Sequence, residues 1–198
     1  MKKLYMAYCI IFTLLIIGLI FDSSIVKFIA ENRISFLNEF MIWISFFGTW
    51  AFVLIFMTSL FLFSENKRDW LIRLWLSVIA SAIVVYALKI VFFRARPFSV
   101  LEILPLTQAE GSGFPSGHAT AVFSTLAILD KEFPKLKWFW LGFACLVAFS
   151  RLYLGLHYLT DVVAGALIGF TISLIFARYK LFDFNKKKRK QKRKMRKK

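Results

Sequence analysis

LWLSVIASAIVVYALKIVFFRARP, residues 74–97, decides what kind of fold this chain has. From Leu74 to Phe93 the only charge is Lys89. About twenty helical residues at ~1.5 Å each cross the hydrocarbon of a bilayer. The segment then ends abruptly in Arg94, Arg96 and Pro97. The same signature recurs on both sides of it. Charge-poor stretches run over 4–21, 40–63, 117–129, 138–156 and 160–179, in a chain of 198 residues that is 59% hydrophobic and contains 24 Phe. A mean hydropathy of +0.67 belongs to a polytopic membrane protein, not to a soluble domain. The spacing predicts an all-α bundle of about six transmembrane helices. The stretch at 117–129 is too short to span alone, so it either continues toward Phe133 or starts in a recess below the membrane surface.

The formal charge of +16 is concentrated at one end. Residues 186–198, KKKRKQKRKMRKK, hold 11 of the 27 basic residues, leaving 16 basic against 11 acidic in the rest. Such a run reads as a solvated tail that leans on anionic lipid headgroups, at ~1 kcal/mol per residue near the surface. No folded aromatic or groove-reading element accompanies it, so no nucleic-acid partner is expected. The chain therefore divides into a membrane domain over 1–185 and a basic cytoplasmic tail over 186–198. The excess of Lys and Arg in cytoplasmic connections places the tail inside, and six crossings bring the N-terminus inside too. Lys2 and Lys3 agree with that, as do Lys67, Arg68 and Arg73 in one connection and Lys131, Lys135 and Lys137 in another. The opening resembles a secretory signal, but Gly18 to Ser24 lacks a small-x-small cleavage pattern, so an uncleaved first helix is expected.

With that parity, three polar blocks fall on the outer face. The first carries Lys89, Arg94 and Arg96. An ionised group inside an apolar segment is a functional candidate, although a lysine near a helix end also snorkels to the interface without further role. Arg96 follows Lys89 by two helical turns, so the two share a side if the helix persists. Pro97 argues that it stops there. Arg94 reads as a headgroup-level surface charge or a further phosphate contact.

The second block is PSGH, residues 115–118. Pro115 and Ser116 look like a helix start, Gly117 allows close backbone approach, and first-turn amides favour an anion. The bland alternative is an ordinary turn before a helix. His118 titrates near neutrality in water and is suited to proton transfer. The third block is SRLYLGLHYLTD, residues 150–161. Arg151 can clamp an oxyanion through its planar fork. His157 and Asp161 stand i, i+4, on one face if the helix begins near Gly155, where the carboxylate can orient the imidazole as in an activated nucleophile. A His and an Asp satisfying each other structurally produce the same spacing.

These three blocks together resemble the signature of the type-2 phosphatidic acid phosphatases, K-x6-RP, then PSGH, then SR-x5-H-x3-D. Lys89, Arg96 and Pro97, Pro115 to His118, and Ser150, Arg151, His157 and Asp161 match it in order and without departure. The likeness covers the chain from the third predicted helix to the sixth. It implies a lipid phosphatase in which His157 attacks phosphorus, Asp161 holds its other ring nitrogen, and His118 protonates the leaving oxygen and then activates water. Lys89, Arg96, Arg151, Ser116 and the Gly117 amide would hold the nonbridging oxygens. No metal or other cofactor is expected, and the sequence has no carboxylate or His/Cys cluster at metal-ligand spacing. The compact Lys-rich chain resembles bacterial members that act on undecaprenyl diphosphate. Phosphatidylglycerophosphate and phosphatidate are further substrates implied by the family. A different class, a transporter or lipid-binding protein whose charges line a path, would not need both histidines.

Three other features complete the expectations. Cys9 and Cys145 read as small buried residues with no disulfide between them. The connection 22–39 is expected along the outer interface, as a tether or as a shape for lipid access. The connection 98–114 is either a cover over a headgroup or a passive loop.

Overall fold

The structure is a computed structural model that describes residues 2–60 and 67–178. The tail at 186–198 and its boundary with the membrane domain lie outside the described residues. Among the described residues all the regular structure is helical, with α1 at Lys2–Glu31, α2 at Ser35–Phe46, α3 at Trp50–Leu60 and α4 at Lys67–Phe92. Then come α5 at Gly117–Phe123, α6 at Leu126–Glu132, α7 at Lys137–Tyr153 and α8 at Leu159–Arg178. By length and composition α1, α4 and α8 each suffice to cross a membrane, and the bent pair α2–α3 makes a fourth if it is one span.

Helix α8 is the hub. Half of its apolar window is buried, against 17% for α1 and 22% for α4, and it packs on α1, α4, α5 and α6. In lipid, apolar side chains gain little by meeting one another, so close backbone approach and hydrogen bonds must hold helices together. Glycines supply the approach. A Cβ at Gly165 would lie 2.6 Å from the Ser116 carbonyl oxygen and 2.9 Å from Thr120 Oγ1. One at Gly18 of α1 would lie 2.7 Å from Thr160 Cγ2. Outward faces carry large exposed apolar groups such as Phe12, Leu19, Ile83 and Val91, as a lipid-facing surface requires.

The segment at 117–132 is broken, not short. It continues to Glu132 as α5 and α6, interrupted at Ser124 and Thr125. The cause is local competition. Ser124 Oγ donates to the Ala121 carbonyl at 2.7 Å and Thr125 Oγ1 to that of Val122 at 2.8 Å, diverting the helical ladder. Neighbouring serines compensate the freed backbone, Ser77 Oγ donating to the Ser124 carbonyl at 2.7 Å and Ser173 Oγ accepting from the Ala127 amide at 3.1 Å. That is how broken helices survive at membrane depth. Below this break the largest apolar core gathers Trp70, Leu74, Leu129 and Trp140.

Two expectations about the first half are corrected. Residues 22–39 are not a plain connection between helices, because α1 runs unbroken to Glu31 and α2 starts at Ser35. Gly18, Asp22 and Val26 are buried at four-residue spacing, so the inward stripe continues past the first charge. Residues 40–63 are not one straight helix either, since α2 and α3 meet at 69°. Thr49 Oγ1 caps α3 by accepting from the Phe52 amide at 3.3 Å. The cysteines are free and exposed, not buried.

Candidate active site

The three polar blocks meet at one end of the bundle, and each arrives by a different break in helical structure. Helix α4 stops at Phe92, and Phe93 turns the chain with φ +38°. Arg96 is extended, with φ −81° and ψ 157°, as the residue before Pro97 should be. Lys89 and Arg96 therefore do not share a helix face, and they converge because the chain folds back. Lys89 Nζ donates to the Ser112 carbonyl. Arg96 donates from Nε to the Gly111 carbonyl at 3.0 Å, from Nη2 to that of Glu110 at 2.7 Å, and from Nη1 to that of Leu156 at 3.1 Å. The end of the 98–114 connection is thus part of the frame that aims both cations.

Ser116 is the N-cap of α5, with Pro115 before the cap and outside the first turn. Its amide donates to the Asp161 backbone carbonyl at 2.9 Å, which pins the second block to the third. Ser116 Oγ is buried and has no hydrogen-bond partner. Gly117 faces Trp50, whose Nε1 would lie 3.4 Å from a Cβ there. His118 is packed where the α2–α3 bend passes, its Cδ2 lying 3.3 Å from the position of a Cβ on Gly48. The charges of Arg151, Arg96 and Lys89 and the ring of His157 all act on it.

Arg151, in the last turn of α7, is 6% exposed. Its Nη1 donates to Ser45 Oγ of α2, and its Nε is buried without a partner. His157 lies in the turn between α7 and α8, since α8 starts at Leu159 and not near Gly155. Gly155 holds φ +74° there, a conformation that suits a residue without Cβ. His157 Nδ1 stands 3.5 Å from Asp161 Oδ2, longer than a full hydrogen bond, and Nε2 stands 3.4 Å from Arg96 Nη1. Burial, then the charges of Arg151, Arg96 and Lys89, hold the imidazole well below its usual pKa, so it is neutral near pH 7. With the Nδ1 proton directed at Asp161, Nε2 keeps its lone pair.

All eight residues singled out in the sequence, Lys89, Arg96, Ser116, Gly117, His118, Arg151, His157 and Asp161, belong to this end of the bundle. Arg94 does not behave as a headgroup-level charge. It donates from Nη1 to Asp161 Oδ1 at 2.6 Å and from Nη2 to Asp22 Oδ2 at 2.9 Å, with its guanidinium 4.3 Å from the centre of the Tyr158 ring. Sequence reasoning missed Asp22 and Ser45. Asp22 was marked by the same signal as Lys89, a charge at the end of an apolar run. Ser45 carried no signal, because a serine in an apolar helix is common. Among the described residues no group of three His, Cys, Asp or Glu side chains is placed so that it could hold a metal ion.

A cluster of fixed cations around a neutral imidazole, with a buried hydroxyl and a guanidinium Nε still to be satisfied, is suited to a tetrahedral oxyanion. Comparison with known proteins points the same way. The sequence model of the PAP2 superfamily matches residues 70–184. The chain is 34% identical to an undecaprenyl-diphosphatase of Sulfolobus acidocaldarius, across 78% of this chain and 76% of that protein. It is 32% identical to phosphatidylglycerophosphatase B of Bacillus subtilis, across 86% and 87%. The crystal structure of Aquifex aeolicus LpxE superposes with a TM-score of 0.73 at 27% identity, over 80% of this chain and 95% of that one.

Proposed function

The chain belongs to the PAP2 superfamily and is a multi-pass membrane lipid phosphatase; on that premise we propose that it releases phosphate from a lipid diphosphate at the outer membrane face through a phosphohistidine on His157. The observation that carries this reading is the setting of His157, with Nδ1 toward Asp161 and Nε2 toward Arg96. Nε2 attacks phosphorus while the bond to the leaving oxygen breaks, and His118 delivers the proton to that oxygen. His118 then takes a proton from water, whose oxygen displaces Nε2 and releases inorganic phosphate. Asp161 stabilises the positive charge that develops on the ring, and its contact with Nδ1 tightens in that step. Lys89, Arg96, Arg151, Ser116 Oγ and the Gly117 amide hold the nonbridging oxygens. Phosphoryl transfer responds mainly to such positioning and charge stabilisation, so protein cations can carry it without a metal.

The preferred substrate in this reading is undecaprenyl diphosphate, yielding undecaprenyl phosphate, with further activity on phosphatidylglycerophosphate and phosphatidate. The names of the relatives above support that choice. Six crossings are made by α1, the pair α2–α3, α4, the pair α5–α6, α7 and α8. With both termini cytoplasmic, the site then opens to the outer leaflet, and the basic tail rests on anionic headgroups.

The test is phosphate release by the purified protein from those three lipids, with and without chelator. The reading expects chelator-resistant turnover, fastest on the diphosphate, and its loss in His157→Ala and in His118→Ala. Full turnover in either variant contradicts the mechanism. Activity abolished by chelator and restored by magnesium contradicts the metal-free route. Orientation has its own check in a Cys9→Ser, Cys145→Ser background. Leu104→Cys, on an exposed part of the 98–114 connection, should react with an impermeant thiol reagent added outside the cell. Labelling from the cytoplasmic side alone would reverse the topology.

A further inference from the structure

We propose that Asp22 of α1 and Arg94 are positioning residues that fix Asp161 and, through it, the ring of His157; this rests on the nucleophile assigned above. Each oxygen of Asp161 has a separate holder. Oδ1 accepts from Arg94 Nη1 at 2.6 Å, and Oδ2 accepts from the Tyr158 amide at 2.9 Å on the side that faces His157 Nδ1. The Asp161 side chain has no exposure. Rotation of its carboxylate would move Oδ2 away from the imidazole, and Arg94 is the side chain that prevents it.

Arg94 is held in turn. Its Nη2 donates to Asp22 Oδ2, and its Nη1 also reaches Thr160 Oγ1 at 2.6 Å. The Tyr158 ring stacks under the guanidinium, and the Arg94 amide donates to Ser112 Oγ at 3.0 Å. Asp22 also accepts from the Thr160 amide at 2.9 Å and from the Thr160 hydroxyl, so it caps the first turn of α8 from another helix. The residue that caps α8 is therefore the residue that anchors Arg94. A guanidinium flanked by two carboxylates has no surplus charge to offer a phosphate, which sets Arg94 apart from Arg96 and Arg151. Its charge instead makes a fully buried Asp161 carboxylate tolerable, since a lone buried carboxylate would protonate. A protonated Asp161 would lose most of its pull on the Nδ1 proton.

Asp22 and Arg94 each lie outside the motif residues, and Asp22 lies outside residues 70–184 altogether. Partners that orient a directly acting group cost on the order of 10–100-fold when removed. The experiment measures kcat and KM for phosphate release in the full-length protein in lipid micelles. The variants are Asp22→Asn, Arg94→Gln and Arg94→Lys, each alone and combined with Asp161→Asn, with His157→Ala as reference. The expected result is a roughly 10–100-fold fall in kcat at unchanged KM for Asp22→Asn and Arg94→Gln. Arg94→Lys should recover part of it. On the Asp161→Asn background neither change should cost anything more, because the group they act through is already disabled. A raised KM at unchanged kcat would make Arg94 a substrate contact and overturn the proposal. So would losses that multiply with Asp161→Asn, or losses that follow a lowered melting temperature and are not relieved by Arg94→Lys. If His157→Ala is inactive while Asp22→Asn and Arg94→Gln turn over like the parent, the proposal alone fails. If His157→Ala is fully active, the nucleophile assignment fails with it.

Discussion

Residues 89–161 contribute the side chains that would meet phosphate, whereas α1–α3 contribute Ser45 and Gly48, which touch or border two of those side chains, and Asp22, which reaches Asp161 through Arg94. Arg151 is held by Ser45 of α2, Arg94 and Thr160 by Asp22 of α1, and His118 is bordered by the glycine at the α2–α3 bend. In the proposed mechanism the second half carries the chemistry and the first half fixes its geometry. A site assembled on two terms should fail on two terms, in catalysis when the second half is cut and in placement or stability when the first half is.

Short of the loss expected on removing either histidine, the largest effect is expected at Arg151. Arg151→Ala removes a buried donor aimed at developing oxyanion charge, and kcat should fall ~10²–10³-fold. Arg151→Lys should recover little of it, because a lysine cannot reproduce the fork. Near-normal phosphate release from Arg151→Ala would move that residue from the chemistry to the scaffold. Next comes Ser45→Ala, which leaves the guanidinium in place without its anchor. A hydrogen bond to a charged group contributes ~1.5 kcal/mol at the low end of its range, so at least about tenfold in kcat is expected with a smaller change in melting temperature. An effect equal to that of Arg151→Ala would erase the distinction between the halves.

Smaller effects should appear in stability. Gly48→Val adds methyl groups where Val147 already touches the Cβ position and the His118 ring is 3.3 Å away. Overpacking there should cost ~1–3 kcal/mol, read as a lowered melting temperature in detergent. Ser77→Ala leaves the Ser124 carbonyl without its side-chain donor, at a cost of ~0.5–1.5 kcal/mol, and kcat should not change because Ser77 lies away from the phosphate cluster. The least change is expected from Cys9→Ser and Cys145→Ser, within ~0.5 kcal/mol for exposed positions. A marked loss at either cysteine would mean that its face of the bundle is covered in the membrane.

How much of this was legible in the sequence depends on which physical signal each residue carried. The motif residues were legible because charge and imidazole inside apolar runs are costly and so need a purpose. The break at Ser124 and Thr125 was not legible, although 117–129 was too short to span and continuation toward Phe133 was one of the two readings that length left open. The path of 22–39 was not legible either, because Asp22, Lys27 and Glu31 read as the end of a membrane segment. Asp22 is in fact paired with Arg94 and bonded to Thr160, so its charge does not stop the helix. The exposure of Cys9 and Cys145 was hidden for a different reason. Lipid-facing and protein-facing positions are both apolar in a membrane bundle, so hydropathy does not tell one face from the other. A shared face for Lys89 and Arg96 required the helix to persist, which Pro97 argued against, and their convergence comes instead from Phe93 turning the chain. The helical period placed the residues correctly in sequence but carried no information about that turn.

The central claim is the covalent use of His157, and trapping tests it directly. A lipid diphosphate labelled in its terminal phosphate is mixed with the parent protein and with His157→Ala, and quenched in alkali during turnover. The account predicts acid-labile, alkali-stable label that maps to the peptide containing His157 and is absent from His157→Ala. Label on another residue, or undiminished phosphate release by His157→Ala with no label at all, would contradict it.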